Sequence, residues 1–515
     1  LYRQVFVSGV NNLAKFNVVI AGGGSAGWMA AAMLARLLGP QLNLTLVESS
    51  EIATVGVGEA TIPPIQAFNQ VLGIDEAEFL RATGGTIKLA IEFNGWTSSA
   101  SSYLHAFGSF GREQGFASFY HYWHRAQAEG LAGDFWQYSL NARAARAGKF
   151  APLDQIAPLD QIANTPLPGL NYAYHFDAGR YAELLKSYCT KAGVTHIDAT
   201  INGVQLDADQ GHIKALQLTG GQTLSGDFFI DCTGGRSLLL GDALGVAFDD
   251  YRQWLPCNRA IALPSERLTQ LQPFTRSSAH RAGWCWQIPL AHRTGNGIVF
   301  NADVMTNEQA LAVLQQQLAG PATGEPKTIH FKVGRRRQQW HKNCVALGLA
   351  SGFLEPLEST SLHLVQSAVT RLVKLFPCGA INTHDVTEFN RQAQTEFESI
   401  RDFIILHYHL NGRSEPFWRE CQTMAIPDAL AHRIALFKAS GRVFADAGEL
   451  FTEPAWQQVM LGQGIKPEAY HTLADSLSSS QLGDFMSHLD TIYGRTVNQL
   501  ASHEDFLRSV QKASA

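Results

Sequence analysis

The stretch Val18-Val19-Ile20-Ala21-Gly22-Gly23-Gly24-Ser25-Ala26-Gly27 places glycines at 22, 24 and 27 after an apolar run and before Trp28-Met29-Ala30-Ala31-Ala32. That order suits one task, the holding of a dinucleotide's pyrophosphate. Gly22 makes the tight turn, Gly24 lets the backbone approach the phosphates without a Cβ, and Gly27 lets helix and strand pack closely. Ser25 and Ala26 open the helix, whose first N–H groups are unpaired and whose dipole is positive at that end. A second apolar run, Leu42 to Val47, ends in Glu48, about 20 residues past the last glycine, where a ribose-binding acid belongs. A glycine-rich turn that merely packs would have no use for that acid.

A strand, a helix and a second strand must therefore position this chemistry. Next comes Val55-Gly56-Val57-Gly58-Glu59-Ala60-Thr61-Ile62-Pro63-Pro64, which reads as a second cofactor loop followed by a short amphipathic helix. Apolar spacing at Tyr181, Leu184, Leu185 and Tyr188 predicts a helix over 177–191. It feeds a hairpin built from Val204 to Leu206 and Ile213 to Leu218. Asp227 to Asp231 is a buried strand that runs into Cys232-Thr233-Gly234-Gly235, the order in which flavoproteins of the glutathione-reductase type return to the dinucleotide. Ala-Pro-Leu-Asp-Gln-Ile occurs twice in 151–162, a local repeat in a proline-rich loop rather than a solenoid. Beyond residue 380 strand signals vanish, and Phe389 to His407 and Asp428 to Lys438 read as helices.

Composition narrows the classes. A chain of 515 residues has room for roughly two to four average domains. With 45% hydrophobic and 17% charged residues it reads as an ordinary globular chain rather than a disordered one. A formal net charge of −5 offers no basic field for nucleic acid, and Arg335-Arg336-Arg337 reads as a solvated strand end or loop. The longest apolar stretch, Trp28 to Leu38, already holds Arg36 and is too short for a membrane span. Leu1 to Lys15 lacks a signal core, so a cytoplasmic location is expected. Seven scattered cysteines without a Cys-x-x-Cys pair fit a reducing compartment and no zinc site. His407-Tyr408-His409 and His121-Tyr122-Trp123-His124 lack an acid at ligand spacing, so no metal is expected and these histidines read as satisfied or exposed.

Three further motifs sharpen the flavin or nicotinamide reading: Gly283-Trp284-Cys285-Trp286-Gln287-Ile288-Pro289, Thr86-Ile87-Lys88-Leu89 with Phe93 to Trp96 behind it, and Glu355-Pro356-Leu357-Glu358-Ser359-Thr360. Together with the glycine turn they resemble the flavin-dependent tryptophan halogenase family, from residue 16 into the helical C-terminal part. The resemblance implies an α/β (α+β) fold. An FAD-binding module of the glutathione-reductase or flavin-monooxygenase type would span 16–380, with substrate-lining segments inserted at about 90–175 and 255–330. A mainly helical substrate region would follow over 381–515.

It also implies roles. Gly58, Ala60, Ile201 and Leu349 join Gly22, Gly24, Ser25, Ala26, Gly27 and Glu48 in binding FAD, used as FADH2. Lys88 is the lysine that polarises hypohalous acid, and Glu358 takes the proton from the halogenated ring. Ser359, Thr360 and Ser361 match the halide segment, although Ser361 stands where the tryptophan-specific enzymes often have glycine. Trp284 and Trp286, which alone would read as core on alternate strand positions, become a wall that keeps the organic substrate from the flavin. His105 and Phe107, in Tyr103-Leu104-His105-Ala106-Phe107-Gly108, line the indole slot, and Phe451 adds a stacking ring. No tyrosine pair stands near Ala439-Ser440-Gly441 to hold an amino-acid end, which shifts the expected substrate from tryptophan toward indole or another electron-rich aromatic. O2, chloride or bromide, a separate flavin reductase and a homodimer complete the expectation. An aromatic hydroxylase and a non-catalytic flavin-binding protein are the alternatives.

Overall fold

The computed structural model describes residues 15–51, 58–152, 161–162, 165–166, 169–377 and 379–512. Most of the duplicated segment at 151–162 and the start of the second cofactor loop lie outside the described residues. A six-stranded sheet runs in the order Thr195–Asp198, Leu42–Glu48, Phe16–Ala21, Phe228–Asp231, Cys344–Ala346, Trp340–His341, all parallel except the last. Its central strands are apolar on both faces at Val18 to Ala21 and Phe228 to Ile230 because both faces are covered. Val18 and Ile20 face the helices, whereas Val19 and Ala21 pack with Ile213, Leu216 and Leu218 of the antiparallel sheet Ile201–Leu206, Ile213–Leu218, Thr223–Ser225. Alternation along one strand thus serves two cores. The sequence signals had marked the hairpin but neither its third strand nor Thr195–Asp198, whose residues are largely exposed and carry little apolar pattern.

Helix Ser25–Leu38 lies against helices Ala178–Lys191 and Ser361–Lys374. A second, seven-stranded sheet is drawn from two distant stretches. Its order is Lys327–His330, Arg259–Ala262, Thr294–Phe300, Gly283–Pro289, Phe274–His280, Ala90–Asn94, Ser102–Ala106. A small sheet, Gly58–Ala60, Ala173–Asp177, Thr86–Lys88, packs on the seven-stranded one and is joined to the end of the tryptophan-bearing strand, where Thr86 Oγ1 donates to the Pro289 carbonyl at 2.6 Å.

The C-terminal helices form no peripheral layer. Helix Thr383–His409 is buried at its end, helix Glu453–Gly462 packs on strand Ser102–Ala106, and the last helix, His503–Lys512, returns to the small sheet. There His503 Nε2 accepts a bond from the Ile87 N–H at 3.1 Å. Gly334–Arg336 is a strand, and Arg335 corrects the expectation of a solvated run. It is 5% exposed, bonded to the Tyr251 hydroxyl at 3.0 Å and 3.5 Å from Asp249, because partners from other segments satisfy a guanidinium that spacing alone assigned to water. No described helix is long and apolar enough to cross a membrane, and no three His, Cys, Asp or Glu among the described residues gather as a metal site.

Candidate active site

At the end of strand Phe16–Ala21 the three glycines meet three different surroundings. Gly22 has φ +109°, and a Cβ there would stand 2.2 Å from the Cys232 carbonyl oxygen. At Gly27 it would stand 1.9 Å from the Gly22 oxygen, so this glycine is needed for packing. Gly24 is the N-cap of helix Ser25–Leu38 and has open space, with nothing within 4 Å and no side chain capping the helix. The turn Gly234-Gly235 is equally open. Free helix N–H groups facing an uncluttered cradle fit the pyrophosphate of FAD. Glu48 ends the neighbouring strand, with Oε1 2.9 Å from His196 Nε2 and 3.3 Å from Lys186 Nζ. Leu349, 45% exposed, follows Gly348, whose added Cβ would stand 2.8 Å from the Ala26 Cβ, so this turn borders the same cradle. Ile201 is partly buried and packs against the cluster between the main sheet and the antiparallel sheet, which includes Ala21 and Val47 beside the glycine turn. Ala60 packs with Ile288, Leu290 and Trp286.

Lys88 closes the three-residue strand Thr86–Lys88 and has no exposed surface. Its ammonium donates to the Thr61 carbonyl at 3.0 Å and to Ser359 Oγ at 2.7 Å. Two bonds leave one of the ammonium's three donors, on a nitrogen 5.3 Å from the centroid of the Phe107 ring. Burial pushes Lys88 down to about 7, against the pull of the Glu358 charge. Such an amine changes protonation state near neutrality, as a surface lysine does not.

Ser359 follows the short turn Pro356–Glu358 with φ +61°, a left-handed conformation uncommon for a side chain and held here by Lys88. Thr360 and Ser361 then begin helix Ser361–Lys374, with no side-chain cap and with the Thr360 hydroxyl buried and unpartnered. Uncapped helix N–H groups beside an idle hydroxyl form a donor set suited to a small anion. Glu358, 1% exposed, has Oε2 2.8 Å from His105 Nδ1 and Oε1 2.8 Å from His407 Nε2, the second contact being close but poorly aligned as a hydrogen bond. Burial pushes its carboxyl up, but the two histidines outweigh that and hold it at about 2. His407 is in turn 3.1 Å from the Tyr103 hydroxyl and stacks on Phe93.

Around His105 stands an aromatic box. Phe403 lies 5.5 Å from its ring, and Phe451 is stacked on Phe403 at 3.8 Å. Trp456 meets Phe403 edge-on at 4.8 Å, and its Nε1 is buried without a partner. Trp284 and Trp286 share one face of strand Gly283–Pro289, with ring centroids 6.2 Å apart. Trp284 is buried and donates from Nε1 to Glu355 at 3.1 Å, whereas half-buried Trp286 fills the space above Gly297.

Structure thus brings Lys88, Glu358, Ser359, Thr360, His105, Phe107 and Phe451 into one neighbourhood. Sequence reasoning passed over His407, Phe403 and Trp456. His407 had looked like a satisfied helix histidine, and its acid lies 49 positions upstream, outside any spacing rule. Phe403 and Trp456 follow apolar helix periodicity, which marks core and lining alike.

Comparison with known proteins adds the following. The sequence matches the profile of the tryptophan halogenase family over residues 17–479. It is 34% identical over 490 residues to a tryptophan 6-halogenase of Streptomyces toxytricini, covering 90% of this chain and 93% of that protein. Among solved structures, a flavin-dependent halogenase from Xanthomonas campestris matches with a TM-score of 0.93 and 47% identity over 96% of this chain and 98% of the other. A flavin-dependent halogenase from Brevundimonas sp. BAL3 matches with a TM-score of 0.91 and 40% identity, covering 96% and 99%.

Proposed function

Because the chain belongs to the tryptophan halogenase family, we propose that it uses reduced FAD, O2 and chloride or bromide to halogenate an indole or a related electron-rich aromatic. The observation that carries this reading is the buried Lys88 ammonium, 2.7 Å from the Oγ of Ser359, the residue next to Glu358. Gly22, Gly24, Ser25, Ala26 and Gly27 would hold the pyrophosphate of FAD and Glu48 its ribose, with Leu349, Gly58 and Ala60 nearby. When bound, reduced FAD with O2 supplies the oxidising power that turns halide into hypohalous acid. A separate flavin reductase provides the reduced cofactor.

The protein's own groups do the rest. The uncapped turn Ser359-Thr360-Ser361 holds halide. Lys88 donates a hydrogen bond to the oxygen of hypohalous acid, which draws electrons from the halogen and makes it a better electrophile. A ring carbon takes the halogen, the oxygen leaves as hydroxide and becomes water with a proton from Lys88, and Glu358 accepts the ring proton. A carboxylate held at about 2 has little affinity for protons, yet a halogenated ring cation is a far stronger acid. His105, Phe107 and Phe451 stack the substrate, and Trp284 with Trp286 walls it off from the flavin.

The named relative acts on tryptophan. For this chain the slot favours a substrate without the amino-acid end. A zwitterion entering an aromatic box loses hydration at two charges, and no tyrosine pair near Ala439 to Gly441 replaces it. With equal concentrations of indole and tryptophan, limiting reduced FAD, and chloride or bromide supplied separately, haloindole should be at least half of the product by mass spectrometry. Halotryptophan in large excess would sink the substrate reading. Hydroxylated product independent of halide would sink the reaction.

A further inference from the structure

The acidic turn carries two glutamates, and only Glu358 has a part in the reaction above. Glu355 has no exposed surface. Its Oε2 accepts from Trp284 Nε1 at 3.1 Å and from the Tyr408 hydroxyl at 2.6 Å, while Oε1 is buried without a partner. Tyr408 is wedged between Trp96, edge-on at 5.9 Å, and Trp418, stacked at 5.5 Å, with Cys257 Sγ 3.5 Å from its hydroxyl. Among the described residues no cationic side chain pairs with this carboxyl. A buried acid with an idle oxygen costs stability, so a hydrophobic residue would serve better if packing were the only task.

Glu355 caps the start of the short turn Pro356–Glu358 and Glu358 is its last residue, so the two carboxyls stand at the two ends of one turn. They grip consecutive residues of helix Thr383–His409. Glu358 meets His407, and Glu355 meets Tyr408, one step further round the helix. Glu355 adds a third element, because Trp284 comes from strand Gly283–Pro289 of the seven-stranded sheet.

We infer that Glu355 is a positioning residue: its carboxyl fastens the Trp284 indole and the Tyr408 phenol to the turn that bears Glu358, keeping wall, base and helix in one register. Rotation of the Trp284 ring would open the wall between substrate and flavin, so that less of the oxidising power drawn from reduced FAD ends in halogenated product. Burial raises Glu355 to about 7, so a neutral carboxamide is a close mimic of the group in its protonated form. Its acceptor oxygen can take both hydrogen bonds.

The inference rests on the halogenase reading, and the experiment has an arm that does not need activity. Glu355→Gln and Glu355→Leu are made in protein labelled with 5-fluorotryptophan, and the Trp284 fluorine resonance is assigned with Trp284→Phe. For each variant the fluorine spectrum and the ratio of halogenated product to reduced FAD consumed are measured. Glu355→Gln should keep the Trp284 resonance and the ratio. Glu355→Leu should move the resonance and lower the ratio about fivefold or more, with flavin oxidation by O2 continuing. If Glu355→Leu does not fold, Tyr408→Phe, which removes one bond and keeps the ring, should shift the resonance and lower the ratio about twofold. An unmoved Trp284 signal with an unchanged ratio in Glu355→Leu or Tyr408→Phe overturns the inference. So does a loss in Glu355→Gln as deep as that in Glu355→Leu, which would make the charge the active property. Parent enzyme that makes no halogenated product defeats the halogenase reading, while the fluorine spectra still decide whether Glu355 holds Trp284.

Discussion

Burial holds Lys88 well below its ordinary value of 10.5, at about 7. Between pH 7 and 10.5 the unfolded chain carries its proton and the folded protein does not, so folding stability rises with pH across that window. Below pH 7 the fold bears the full penalty of a buried ammonium. Lys88→Met keeps the volume and removes that penalty. The variant should therefore melt higher than the parent at pH 6, and the gap should shrink by pH 10, as followed by thermal denaturation at each pH. The same variant should lose halogenated product by about 10²-fold or more while oxidising reduced FAD normally. A variant that is no more stable at pH 6 and still makes product would remove Lys88 from both roles. Lys88 was legible in the sequence only through its motif, since an isolated lysine reads as surface. Its partner Ser359 lies 271 positions away.

At the scale of elements, the strand, turn and helix from Phe16 to Leu38 form a local unit whose glycines are distinguishable by what surrounds them. Gly24 alone faces open space, so a larger residue there should fold and still obstruct a ligand. Gly24→Val should weaken FAD binding by about tenfold or more, read by titration of flavin fluorescence, with thermal stability close to the parent. Binding as tight as the parent's would move the cofactor elsewhere. Gly22→Val and Gly27→Val should instead fail to fold, because their side chains would meet backbone. This unit was legible because its chemistry is carried by neighbours in sequence. Ile201 lies on a strand whose side chain packs against the cluster holding Ala21 and Val47, a neighbourhood that forms only when the antiparallel sheet docks.

Across the whole molecule, the last helix buttresses the strand that ends in Lys88, where His503 Nε2 accepts the N–H of Ile87, 416 positions away. Both groups are buried. His503→Ala leaves that N–H unpaired and should cost about 1–3 kcal/mol, seen as a lower urea midpoint together with reduced product formation. If neither changes, the C-terminal helix is a passive cover. Such long-range closure also explains why the C-terminal third is no separate layer. Its helices supply His407, Phe403 and Trp456, and the segment before helix Glu453–Gly462 supplies Phe451, to a site whose lysine lies in the first hundred residues.

By itself the sequence determined the dinucleotide turn, its parallel strands and the motifs that mark the reaction. Each is encoded in residues close together, where backbone geometry and side-chain periodicity suffice. Only the tertiary structure decided that His105 and His407 hold Glu358, that Glu355 grips Trp284 and Tyr408, and that Arg335 is buried among partners. Those outcomes depend on which distant segments share a dry interior, where an unpaired charge or polar group is costly enough that its partner must be found, whatever the separation along the chain.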